Sequence, residues 1–121
     1  DHVNARGGAS KPGDPAELRA LKLALGEEAA ARVAVSSTKS MHGHCMGATG
    51  ALEAAITGLA LRESVLPPTI NLTTIDPACA GVDHVANESR PADIRVALSA
   101  SYGLGGHNAV LALTRYENGE S

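Results

Sequence analysis

Between Val35 and Gly50 the chain reads VSSTKSMHGHCMGATG, and this stretch restricts its architecture more than any other. A β-branched run stops in a polar loop carrying Lys39, His42, His44 and Cys45. A helix rich in glycine and alanine then starts with Gly47, Ala48 and Gly50. A strand, a reactive loop and a small-residue helix in that order point to an α/β layer. In such layers ligands bind beyond the carboxyl ends of the strands, where helix N–H groups face negative charge.

The flanking patterns extend this layer on both sides. His2–Ala5 reads as a short strand, followed by the loop Arg6–Gly13. Asp14, Pro15 and Glu17 then have the N-cap, first-turn and capping-box spacing of a helix start. Leu18, Leu21 and Leu25 give that helix an apolar stripe, and Gly26 ends it. Val33–Ser36 is the next strand, and the loop Ser37–Met46 leads to a long helix from about Gly47 to Arg62. Gly47, Gly50, Ala51, Ala54 and Gly58 line one face of it, a surface suited to close approach by a sheet or another helix. Pro67-Pro68 breaks the chain, Thr69–Leu72 is extended, Ile75–Gly81 is turn-rich and Val82–Ala86 is a short strand candidate. Asp93–Ser101 and His107–Arg115 are strong strand patterns around the turn Tyr102-Gly103-Leu104-Gly105-Gly106. The order is β-α-β-α-(β)-β-β, closed by an antiparallel hairpin, with a polar tail at Glu117–Ser121 and no internal repeat. So small a sheet, with a final hairpin apolar throughout, is expected to need a second layer from elsewhere.

Composition narrows the setting. A chain of 121 residues fits one domain at most, and with no Trp, no Phe and only two Tyr its core must be built from Ala, Val, Leu and Ile. A net charge of −3 without a Lys/Arg cluster argues against nucleic acid or an anionic membrane as partner. No apolar run reaches the length of a membrane span, and no signal peptide is visible. Two cysteines at unrelated positions make no disulfide framework, so a cytoplasmic location is expected. Starting at Asp1 directly in a strand pattern, the chain reads as a fragment.

Several side chains stand out chemically. Glu53 falls in the Ala-rich part of the long helix; burial there would be costly without a cation, and Lys39 in the preceding loop is the obvious partner. Two solvated charges are the alternative. His44 lies within a turn of the helix start, where the helix dipole and a nearby ammonium disfavour imidazolium; a neutral ring can donate an N–H to a forming enolate. A loop histidine bonded to backbone is the plainer reading. His42-x-His44-Cys45 matches no structural zinc spacing, Cys79 is far away, and metal binding ranks low. Cys45 as a nucleophile is equally weak. The glycines of YGLGGHN, Tyr102–Asn108, let backbone N–H groups approach a ligand, as an oxyanion hole requires, or they simply make a tight hairpin.

Taken together, these pieces resemble the C-terminal part of an elongating β-ketoacyl-(acyl-carrier-protein) synthase. The family pattern K-S-x-x-G-H-x-x-G-A-x-G is Lys39 through Gly50, with Glu53 at the family's helix glutamate. V-x-P-P-T-x-N-L is Val65 through Leu72, the glycine turn is Gly103–Gly106, and Val3–Ser10 aligns with V-N-A-H-G-T-S-T. The resemblance covers nearly the whole chain and implies a thiolase-like α/β fold made of two similar halves with helices packed between two sheets. Residues 1–116 would be most of the second half, lacking its first strand and helix. It also implies decarboxylative condensation of malonyl-carrier protein with an acyl thioester, in fatty-acid or polyketide synthesis, without a cofactor. The implied partners are acyl carrier protein, the acyl and malonyl thioesters, the missing N-terminal half with its cysteine nucleophile, and a second subunit in a homo- or heterodimer. By resemblance His44 hydrogen-bonds the malonyl thioester carbonyl, and Lys39 and Glu53 form an ion pair beside it. The Leu104 N–H supplies half of the oxyanion hole, at a position where many members carry a gating Phe. Tyr102, Gly103, Gly105 and Gly106 line the substrate pocket.

The departures that bear on chemistry are Arg6 in place of the first catalytic His, Gly8 in place of a Thr, and His107 where Thr is common. Arginine stays protonated, so Arg6 can neutralise an enolate or hold a malonyl carboxylate but cannot act as a general base. Either the chain belongs to an altered condensing enzyme, or it is a non-catalytic relative such as a chain-length-factor subunit.

Overall fold

A computed structural model describes residues 1–117, so the polar tail beyond Glu117 lies outside the described residues. Seven strands are formed: β1 (His2–Asn4), β2 (Ala34–Ser36), β3 (Val65–Leu66), β4 (Asp83–His84), β5 (Arg90–Pro91), β6 (Val96–Gly103) and β7 (His107–Thr114). Four α-helices accompany them: α1 (Gly13–Leu25), α2 (Glu27–Arg32), α3 (Lys39–His42) and α4 (Thr49–Glu63). Five strands make one sheet in the order β4-β2-β1-β6-β7, parallel except for the closing β6–β7 hairpin. β3 and β5 pair separately as an antiparallel ribbon.

Register explains the two-sided core. His2 pairs with Ala34 and Ala97, and Val3 with Val35 and Leu98, so alternate residues face opposite sides of the sheet. Val3, Ala5 and Val35 pack with Leu18 of α1 on one face. Ala34 and Ala97 pack with Ala60 and Leu61 of α4, Leu66, Val85 and Ile94 on the other. Complete burial of a side chain such as Ile94 or Leu61 contributes about 2 kcal/mol. β1 is the middle strand, and the loop after it therefore opens at the centre of the sheet's carboxyl edge.

Local chemistry differs from the sequence reading in several places. The first helix starts at Gly13 with Pro12 as N-cap and no side-chain cap, so Asp14 is not the cap. Glu17 does not close a capping box either; its carboxylate is drawn to the loop after β1. Gly26 ends α1 as expected, with φ 83°, but only one residue separates it from α2, a helix the pattern did not suggest. The stripe also stops short, for Leu18 is buried while Leu25 is exposed. The loop Ser37–Met46 contains the helical turn α3, and α4 begins at Thr49 after a 3₁₀ turn at Met46–Ala48. The short strand candidate at Val82–Ala86 narrows to Asp83–His84.

The largest difference is the orientation of α4. Thr49, Glu53, Thr57, Ala60 and Leu61 are its buried residues, whereas Gly47, Ala51 and Gly58 are exposed. A Cβ on Gly47 or Gly58 would meet nothing within 4 Å. The small-residue face is turned away from the chain's own sheet, and a polar stripe lies against it. Polar groups can face the sheet because they bond one another there. Asn4 Nδ2 donates to Thr38 Oγ1 at 3.2 Å and to Thr57 Oγ1 at 3.3 Å, and Thr57 Oγ1 donates to the Glu53 carbonyl at 2.7 Å.

On the same face, His2 is 1 % exposed; its Nε2 lies 3.0 Å from Ser36 Oγ and its Nδ1 has no partner. Burial pushes its pKa from 6.5 down to about 4. The unfolded chain therefore binds a proton that the fold refuses. The neutral ring's contribution is complete above about pH 6.5 and is lost as the pH falls towards 4, a change of about 3 kcal/mol. Urea denaturation of the protein across this window should show that loss, and His2→Phe should flatten it. Equal pH slopes for the two proteins would contradict the assignment.

Candidate active site

The loops after β1 and β2 and the turn between β6 and β7 converge at the carboxyl edge of the sheet. Lys39 Nζ bonds Glu53 Oε1, and the two side chains are 7 % and 0 % exposed. The expected ion pair is thus present and buried, joining α3 to α4. Glu53 Oε2 has no partner.

His44 is exposed at the entrance to α4. The Met46 backbone N–H donates to its Nδ1 at 3.0 Å, and Thr49 Oγ1 lies 3.2 Å from the same nitrogen. Met46 reaches this position with a left-handed backbone, φ 50°, which is uncommon outside glycine and asparagine. An acceptor Nδ1 places the proton of the neutral ring on Nε2, which is then a free N–H donor. The other reactive groups of this segment are occupied elsewhere. His42 Nε2 lies 3.1 Å from Thr38 Oγ1 and its Nδ1 lies 2.7 Å from the Gly43 carbonyl, while the Cys45 thiol is exposed.

Arg6 is half-buried, its Nε has no hydrogen-bond partner, and it joins no ion pair among the described residues. Its backbone is held firmly. Glu17 accepts from the N–H groups of Arg6 at 2.8 Å and Gly7 at 3.0 Å. Burial raises the Glu17 carboxyl above its ordinary pKa, against the pull of those two bonds. Sequence reasoning missed this brace because a glutamate three residues after an Asp-Pro looks like helix capping. The Asn4–Thr38–Thr57 cluster was missed as well, although an asparagine between Val3 and Ala5 and a threonine in an Ala-rich helix are visible signals of a buried polar contact.

Arg6, Lys39 and His44 line one cavity of about 740 Å³ with Tyr102, Gly103 and Leu104. Gly105 and Gly106 are not part of its wall; with φ 82° and 80° they make the outer bend of the hairpin. Leu104 is at the tip and 94 % exposed. β6 runs to Gly103, two residues further than the sequence pattern indicated. Burial raises the Tyr102 hydroxyl pKa, and the Glu17 carboxylate adds to the effect. A second cavity, of about 520 Å³, shares Lys39 and His44 and continues along Gly8, Glu17 and Thr69.

This geometry is that of an N–H donor and a permanent cation facing one space at a sheet edge, beside a buried ion pair. Residues 1–73 match the model of the β-ketoacyl synthase C-terminal domain. The chain is 47 % identical over 116 residues to 3-oxoacyl-[acyl-carrier-protein] synthase 2 of Synechocystis, covering 96 % of this chain and 27 % of that protein. It superposes on a ketosynthase/chain length factor of ishigamide synthesis with a TM-score of 0.88 at 38 % identity, covering 97 % of this chain and 28 % of the other. A chain of the AntDE:AntF complex, a type II polyketide acyl-carrier protein with its ketosynthase bound to the hexaketide, gives a TM-score of 0.90 at 32 % identity, with 96 % and 28 % coverage. The chain belongs to the β-ketoacyl synthase family, and its fold is the thiolase-like one expected. It spans about a quarter of the length of the curated relatives it matches. No helix among the described residues is long and apolar enough to cross a membrane.

Proposed function

We propose that this chain contributes the second-half portion of a condensing site that joins a malonyl unit, carried on acyl carrier protein, to an acyl thioester. The observation that carries this reading is the free His44 Nε2–H beside the buried Lys39–Glu53 pair, in a cavity that also holds the Leu104 turn. In the reaction, the bond between the malonyl carboxylate carbon and the methylene carbon breaks. Its electron pair becomes an enolate on the thioester, and carbon dioxide leaves. The enolate carbon then attacks the acyl thioester carbonyl and expels the cysteine thiolate. His44 would stabilise the enolate oxygen and the Leu104 N–H the second oxyanion. The cysteine belongs to the other half of the site, whose central helix would pack on the exposed face formed by Gly47 of the 3₁₀ turn and Ala51 and Gly58 of α4.

A second reading is favoured by one residue. With Arg6 in place of a histidine, the site lacks one of its two neutral donors, as expected of a non-catalytic partner subunit in a heterodimer. A condensation assay with malonyl- and acyl-carrier protein separates the two. The full-length protein should form a 3-oxoacyl product and the chain alone none. Product from the chain alone would overturn the shared-site reading, and no product from a full-length protein lacking a cysteine nucleophile would establish the partner subunit.

A further inference from the structure

The departures at Arg6 and Gly8 are one structural feature. A glycine is required where the backbone takes a left-handed φ or where a side chain would collide. Gly7 meets both conditions, with φ 44° and Ser37 Cβ 2.3 Å from where its own Cβ would lie, whereas Gly8 is not among the residues of positive φ, so its φ does not call for glycine. At Gly8 the constraint is collision alone, and with its own neighbour's guanidinium. A Cβ there would lie 2.6 Å from Nη1, 3.0 Å from Cζ and 3.3 Å from Nη2 of Arg6, its three nearest neighbours. The guanidinium lies across Gly8, in the space that a side chain would fill.

Arg6 lines the 740 Å³ cavity, and Gly8, against which its guanidinium lies, lines the 520 Å³ cavity that shares Lys39 and His44 with it. The guanidinium's charge is not spent within the described residues. The ion pairs there do not include Arg6, Lys39 is committed to Glu53, and Glu17 spends both carboxylate oxygens on backbone N–H groups. A half-buried guanidinium with no protein acceptor, facing a cavity, is a planar fork suited to a carboxylate.

We propose that Gly8 is a specificity-determining position: having no side chain, it seats Arg6 as the anchor for the free carboxylate of a dicarboxylic acyl thioester. The thioester part of this assignment rests on the ketosynthase reading; the carboxylate anchor does not. Malonate and its neutral diamide, malonamide, are suitable probes, titrated into the full-length protein by calorimetry. The wild type should bind malonate about tenfold or more tightly than malonamide, and Arg6→Gln should abolish that preference. Gly8→Ala is the sharper test. The atoms its methyl group displaces are the far end of a flexible side chain, so the fold should keep its thermal midpoint while the preference is lost. The double variant Arg6→His/Gly8→Thr removes the guanidinium and fills its space, and it should also lack the preference. Retention of the malonate preference in Gly8→Ala would overturn the role of Gly8, and retention in Arg6→Gln or in the double variant would overturn the anchor. An Arg6-dependent preference in a protein without turnover would sink the enzyme reading and leave this one standing.

Discussion

Lys39→Ala should destabilise the protein by about 3 kcal/mol or more, measured by urea unfolding at neutral pH. Glu53 is fully buried in α4, and Lys39 is the cation bonded to it. Removing the ammonium leaves a buried carboxylate with no ion-pair partner among the described residues, and breaking one side of a buried ion pair typically costs about 3–5 kcal/mol. The pair itself is worth far less than that loss, because two desolvation penalties offset most of its attraction. Lys39→Met combined with Glu53→Leu should therefore come back close to wild type. A single-variant loss below about 1 kcal/mol would mean that Glu53 is solvated or protonated in the fold.

Arg6→His should raise the rate of carbon dioxide release from malonyl-carrier protein by the full-length protein, by about a hundredfold. The argument is one of differential binding. A guanidinium on the malonyl carboxylate stabilises the ground state, and that negative charge has left the carboxylate by the time carbon dioxide forms, so the interaction raises the barrier. A neutral imidazole loses the anchor and supplies a second N–H donor to the enolate oxygen beside His44. The variant should accordingly raise KM and kcat together, the pattern of a relieved ground state. Because the guanidinium occupies the space above Gly8, full recovery is expected only when Gly8→Thr accompanies it. Equally fast release by the wild type and Arg6→His would show that Arg6 is no impediment. Negligible release by both, in a protein without an upstream cysteine, would favour the partner subunit.

What the sequence disclosed and what it concealed follow from whether the interacting groups are side chains or backbone. The strand-loop-helix order around Lys39, the Lys39–Glu53 contact and the closing hairpin were legible because side-chain pattern and charge encode each of them within one short stretch of chain. The work of Glu17 was hidden: its partners are backbone N–H groups ten and eleven residues upstream, and backbone donors leave no trace in composition. The orientation of α4 was hidden for a different reason. Small residues mark a face that permits close approach, but they do not say to what, and the polar face turned inward because Asn4, Thr38 and Thr57 satisfy one another. Gly8 read as a simple loss of a threonine until its neighbour's guanidinium was located beside it.

The edge strand has a practical consequence. β7 lies at the end of the sheet, and Val110 and Leu111 are about half exposed along a run, Ala109–Leu113, that holds no proline and no charge. A strand of that kind can template further strands from other molecules. Expressed without a covering layer, the chain is expected to be lost to insoluble β-rich aggregates before its chemistry is ever assayed, and a charged residue at Val110 is the first change to make in a soluble version.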